Sequence, residues 1–199
     1  MALKVSRRNF VVGLSCFLAA CQSKESGIRQ AGLDLRADGT PDYAAAYAPI
    51  RDGGFSLPAI QYQNFDPQYL RQTVSYSSRY PAGTIVVDPK KKFLYLVQSG
   101  GRAIRYGIGV GRAGFAWSGE ARIGLKREWP KWFPPDEMID RDPKLEKYRD
   151  GQPGGPSNPI GARGLYLWQG NKDTLYRIHG TNAPSSIGTN ASSGCIRMW

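Results

Sequence analysis

The chain has 199 residues, a net charge of +11 at neutral pH and 41% apolar residues, with 24 glycines and 14 prolines. That length holds one domain plus a tail, with enough core to fold without staples. The basic residues are scattered rather than interleaved with aromatics, and no helix-turn-helix, zinc-finger or RRM pattern occurs, so nucleic acid is a poor partner and an anionic cell envelope accounts for the charge.

The opening "MALKVSRRNFVVGLSCFLAACQS" has a basic start, an apolar run from Phe10 to Ala20 and small residues before Cys21. Residues 1–20 read as an export signal, too short and wrongly flanked for a membrane span. "SRRNFVV" is either a twin-arginine signal or an ordinary basic start. "LAAC" matches a lipoprotein processing site with Cys21 lipidated, or is a coincidence of small residues before a cut. With Gln22 next, the lipoprotein reading places the protein in the periplasm, anchored at the outer membrane of a Gram-negative cell. Cys16 leaves with the signal and Cys21 is acylated or at the cut, so Cys195 is the one free thiol of the mature chain. An unpaired cysteine in an exported protein points to reactivity; the alternative is an inert buried side chain.

Residues 21–82 read as a tether and packing arm, rich in breakers and without a sustained apolar period. Its rings, Tyr43, Tyr47, Phe55, Tyr62, Phe65 and Tyr69, are expected to pack onto something. "DPQYLRQTVSY" predicts a short helix with Asp66 capping, Pro67 at the first position, and Tyr69 and Leu70 inward. From Gly83 the pattern turns to strands. "TIVVD", "FLYLVQS" and "AIRYGIGVG" form a meander, with Lys90, Lys91 and Lys92 on a solvated turn, and "ARIGLKREW" adds another strand. Residues 130–162 are crowded with Pro and Gly and hold at most a short helix near 136–148; a loop of this length reads as a lid or cleft wall. "RGLYLWQ" and "TLYRIHG" then alternate around "GNKD" as a hairpin that delivers His179 to a strand end. Residues 83–199 are thus a mainly-β domain with a late loop carrying Cys195.

His179 is the only histidine and lies sixteen positions before Cys195. A thiol nucleophile needs a base to remove its proton, and the base needs an acceptor to fix its tautomer. Attack on a carbonyl also needs donors for the oxyanion, and "SSGC" could turn the N–H groups around Gly194 and Cys195 into one hollow. One His and one free Cys cannot fill a zinc site and no Cys-x-x-Cys occurs, so neither metal nor cofactor is expected.

"IHGTNAPSSIGTNASSGCIRM" resembles the signature of the L,D-transpeptidase catalytic domain family, known as YkuD and including the ErfK/YbiS/YcfS/YnhG group. The likeness extends upstream through "TIVVDPKKKFLYLVQSGGRAIRYGIGVG" and "NPIGARGLYLW", over about residues 83–199. The resemblance implies a β-sandwich acting on peptidoglycan stem peptides. It implies that Cys195 is the nucleophile, His179 the general base, and the Gly180 carbonyl the acceptor that orients the imidazole. An acyl-enzyme on a tetrapeptide stem would be resolved by a neighbouring stem amine to give a 3–3 cross-link. Water as acceptor would make the protein an L,D-carboxypeptidase, and a lysine of an envelope lipoprotein would make it a protein-anchoring enzyme. Arg197 matches the arginine after the nucleophile, either binding a substrate carboxylate or supporting the loop through a salt bridge. Ser192 falls on the serine of the signature, as a support of the loop or the oxyanion hollow.

Two departures stand out. The signature's histidine before Gly-Cys is Ser193 here. The family domain also continues past the nucleophile with a helix and a closing strand, whereas this sequence stops at Trp199. Either the sequence is truncated there or the protein is a shortened paralogue. Without the closing strand the sheet would leave an open edge, and a non-catalytic peptidoglycan-binding paralogue is the alternative this raises.

Overall fold

The aromatic arm folds back as a set of short elements in the structure, a computed structural model that describes residues 34–112 and 118–199. The expected export signal and the expected lipidation at Cys21 lie outside these residues. Helix α1 (Tyr43–Ala46) leads to a small hairpin of β1 (Ile50–Asp52) and β2 (Phe55–Leu57). The expected helix near Pro67 is a single 3-10 turn, Pro67–Tyr69, in which Asp66 caps the Gln68 N–H and Leu70 is buried. It stops there because β3 (Gln72–Ser75) follows at once and joins a sheet. Residues 72–75, assigned to the arm from sequence, are therefore an edge strand of the domain. Four residues are too few to show a period, which is why the residue pattern hides this strand. The arm's rings dock on later segments: Phe55 lies 4.5 Å from Trp129, Phe65 4.8 Å from Trp199 and Tyr69 5.7 Å from Phe93.

The β-branched and aromatic runs after Gly83 pair as expected. Strands β4 (Ile85–Asp88), β5 (Phe93–Gln98) and β6 (Arg102–Gly107) form an antiparallel meander, giving a first sheet of order β3-β6-β5-β4. After the two-residue β7 (Val110–Gly111) come β8 (Arg122–Glu128), helix α2 (Asp136–Arg141) and the hairpin of β9 (Arg163–Gln169) with β10 (Lys172–His179). Two short strands close the chain, β11 (Asn190–Ser192) beside β7 and β12 (Ile196–Arg197) beside β10. The second sheet has the order β12-β10-β9-β8. Its last strand is not an edge. Strand β12 pairs with β10 on one side, and on the other Arg197 exchanges both backbone hydrogen bonds with Gly109, at 2.8 and 3.0 Å.

The two sheets face each other across Leu94, Ile108, Val110, Leu167 and Ile178, with Leu165, Ile196 and Met198 packed around them. Each such side chain contributes about 1.5–3 kcal/mol when fully buried. This is the mainly-β sandwich the sequence implied. Among the described residues no helix is long and apolar enough to cross a membrane.

The Pro/Gly-rich loop is a pinned wall rather than a free flap. Trp132 and Gln152 exchange backbone hydrogen bonds across it, and Asn158 is fully buried inside it. The Asn158 amide donates to the carbonyls of Pro130, Gln152 and Pro153 at 3.0–3.2 Å, while its oxygen accepts the Ile160 N–H at 2.9 Å. Asn158→Ala is expected to cost about 2–4 kcal/mol, because several buried carbonyls lose one donor together. A denaturant midpoint equal to that of the wild type would contradict this.

Candidate active site

Strands β10 and β12 run parallel, with Ile178 opposite Ile196 and His179 opposite Arg197. Alternation sends the two isoleucines into the core and places His179 and Arg197 on the other face. Cys195 immediately precedes β12, level with Arg177, two residues before His179 on the neighbouring strand. Strand spacing puts the Cα atoms of such diagonal neighbours about 8 Å apart.

The imidazole is held firmly. Its Nδ1 lies 2.5 Å from the Gly180 carbonyl, and only 9% of His179 is exposed. With Nδ1–H donating to that carbonyl, Nε2 keeps its lone pair for use as a base. Burial lowers the His179 pKa to about 4, reinforced by the positive charges of Arg197 and Arg177 and opposed by the carbonyls of Gly180 and Ile160. The loop wall reaches this point through Gly161. Its φ is +68°, and a side-chain carbon there would sit 2.8 Å from the backbone of Gly180 and Thr181. Only glycine lets the wall close against the peptide that orients His179.

The cysteine turn is organised by Ser192, which is buried. Its hydroxyl donates to the Cys195 carbonyl at 2.5 Å and accepts the Gly194 N–H at 3.1 Å. Gly194 has φ +119°, a conformation closed to other residues. The Gly194 N–H, read from sequence as an oxyanion donor, is therefore already engaged. Ser193 is exposed beside it. The Cys195 sulphur makes no hydrogen bond to the imidazole; its contact is the Leu175 carbonyl, 4.0 Å away. Burial raises the thiol pKa, while the Arg177 N–H and the guanidinium charges of Arg177 and Arg197 work against that rise. The resting pair is a neutral thiol and a neutral imidazole.

Of the two roles the sequence left to Arg197, the supporting salt bridge is not formed: among the described residues no carboxylate pairs with it, and its Nε is buried without a partner. Arg112, whose N–H donates to the Ser192 carbonyl at 3.0 Å, adds a second positive charge nearby. Sequence reasoning missed Arg112, the Ile160 carbonyl, Gly161 and the Asp173–Arg177 turn. The one available signal was an aspartate four residues before an arginine, which reads equally well as a surface pair. Among the described residues no cluster of three or more His, Cys, Asp or Glu could hold a metal ion.

A β-sandwich that sets an oriented imidazole and a thiol on adjacent parallel strands brings together the residue types that cysteine-based acyl transfer uses. Residues 82–199 match the model of the L,D-transpeptidase catalytic domain, YkuD, and the chain belongs to that family. It is 33% identical over 120 residues to a probable L,D-transpeptidase ErfK/SrfK of Escherichia coli (strain K12), covering 57% of this chain and 36% of that protein. It is 30% identical over 121 residues to a probable L,D-transpeptidase YbiS of the same strain, covering 58% and 37%. The matches thus span little more than a third of those relatives' lengths. A crystal structure of a protein named a probable carnitine operon oxidoreductase, from Brucella melitensis, is 51% identical, with a TM-score of 0.54, over 70% of this chain and 86% of that one.

Proposed function

We propose that the domain is a cysteine-dependent L,D-transpeptidase that forms 3–3 cross-links between peptidoglycan stems. The observation that carries this reading is the pairing of β10 with β12, which sets His179, tethered to the Gly180 carbonyl, beside the Cys195 turn. The names of the ErfK/SrfK and YbiS relatives support it.

In this reading the Cys195 sulphur swings from the Leu175 carbonyl toward the imidazole and attacks the carbonyl of the stem's third, diamino-acid residue. Because both groups rest neutral, the thiol proton passes to His179 Nε2 as the S–C bond forms. The Cys195 N–H is the donor for the oxyanion, since that of Gly194 is bound to Ser192. The C–N bond to the terminal D-Ala then breaks, and His179 returns its proton to the leaving amine. A stem amine attacks the thioester, gives up a proton through His179, and restores the thiol. Arg197 and Arg112 meet a stem carboxylate, which would supply the anion that pairs with neither of them among the described residues.

Water in place of the amine makes the same site an L,D-carboxypeptidase, and a lipoprotein lysine makes it an anchoring enzyme. We place the protein in the periplasm, tethered through lipidated Cys21. Nothing in the site favours the redox activity for which the Brucella melitensis protein is named; Cys195 is the one free cysteine among the described residues. The test is incubation of the purified protein with disaccharide tetrapeptide, read by mass spectrometry. Dimers lacking one D-Ala are expected. Release of D-Ala without dimers would assign the carboxypeptidase, and no reaction from a folded protein would favour a binding paralogue.

A further inference from the structure

Strand β10 contains a costly irregularity beside the sulphur. Leu175 has φ +65°, a left-handed backbone that leucine rarely adopts, and its side chain is 76% exposed, so packing does not repay it. The ladder with β9 shifts register between Asp173 and Arg177 to accommodate it.

This turn is built from several interactions. Asp173 Oδ1 accepts the Leu175 N–H at 2.9 Å, and both Asp173 oxygens take the Arg177 guanidinium at 2.7 and 2.8 Å. The guanidinium stacks over Tyr166 at 4.1 Å. Thr174 donates its hydroxyl to the Leu167 carbonyl at 2.7 Å and accepts the Tyr176 N–H at 3.2 Å. Strand β12 pairs with β10 only at Ile178 and His179. Below that point the next rung is filled by the Cys195 side chain, which meets the Leu175 carbonyl and the Arg177 N–H.

We propose that the Asp173–Arg177 turn is the positioning element of the nucleophile, holding the Cys195 sulphur between the Leu175 carbonyl and the Arg177 N–H. Asp173 and Leu175 act through those backbone groups and touch no substrate in this role. A strained residue beside a functional group, kept in place by a dedicated carboxylate, is where a fold stores positional information. The proposal rests on Cys195 being the nucleophile but not on any particular acceptor.

The experiment is the pH profile of iodoacetamide alkylation at Cys195 in the folded chain, followed by intact mass. Leu175→Val, whose branched side chain resists positive φ, is expected to raise the apparent thiol pKa by about one unit and to slow alkylation near pH 7 about tenfold. Leu175→Gly, at ease at positive φ, is expected to retain the wild-type profile. Equal profiles for Val and Gly would overturn the proposal. Should the Val chain fail to fold, Asp173→Asn and Asp173→Ala decide the matter. Both remove the same charge, but only Asn keeps an acceptor for the Leu175 N–H. Alkylation several-fold slower in Ala than in Asn is expected, and identical profiles would overturn the idea. Alkylation reads the thiol without a stem peptide, so failure of the transpeptidase reading would show separately, as an alkylatable cysteine that turns over no peptide.

Discussion

Cys195→Ala is expected to leave the sandwich folded and to abolish covalent capture by a carbapenem, a class of compound that acylates the nucleophile in this family. The side chain is half-buried at the head of β12, and its polar contacts are two backbone groups, the Leu175 carbonyl at 4.0 Å and the Arg177 N–H. Losing a sulphur there costs little stability, within about 1 kcal/mol. In the proposed mechanism it also removes the atom that forms the acyl bond, so peptide turnover should fall by at least about 10⁴-fold. Intact mass of the wild type after exposure should show one added carbapenem, and the variant none. An adduct that persists in Cys195→Ala would assign the nucleophile elsewhere and end the transpeptidase reading.

The second large effect is on pH dependence, through His179. Its pKa is near the usual 6.5 in the unfolded chain and about 4 in the folded one. Between these values the unfolded chain takes up a proton that the folded chain does not. Stability therefore rises with pH across this window; it is fully present above about 6.5 and lost as pH falls through 4. The difference amounts to about 3 kcal/mol. Denaturant unfolding between pH 7 and 4.5 should show a steep loss in the wild type and a flatter one in His179→Gln, whose side chain does not titrate. Equal slopes would mean that the imidazole is not buried as the fold places it. The same variant should slow acylation by about 10²–10⁴-fold, the usual worth of a general base. In the wild type, acylation should persist to about pH 5, because the ring stays unprotonated well below 6.5.

Much of this site could be read from residue order, because the relevant signals are local. Alternation in "RGLYLWQ" and "TLYRIHG" defines β9 and β10, and puts His179 at a strand end with Gly180 next to it. The Ser-Ser-Gly-Cys turn likewise announces a tight loop before Cys195. Other assignments went astray where a local signal has two meanings. Gly194 reads as a donor of its N–H, yet Ser192 two residues earlier takes that bond. Leu175 reads as an ordinary apolar strand residue, yet the bulge turns it to solvent, because one inserted residue reverses which face a side chain meets.

The sequence by itself determined the strand pattern, since backbone preference and side-chain alternation act over a few residues, and its resemblance to the family pointed to the sandwich and to His179 and Cys195 as the candidate pair. The tertiary structure alone decided what surrounds that pair. Burial sets the imidazole near pKa 4, the Ile160–Gly161 wall closes on Gly180, and a turn some twenty residues upstream of Cys195 places a carbonyl on its sulphur. It also made β12 an interior strand between β10 and Gly109, and drew residues 72–75 into the first sheet. Burial and strand register are properties of distant segments brought together, and a desolvated charge or a borrowed carbonyl exists only once they meet.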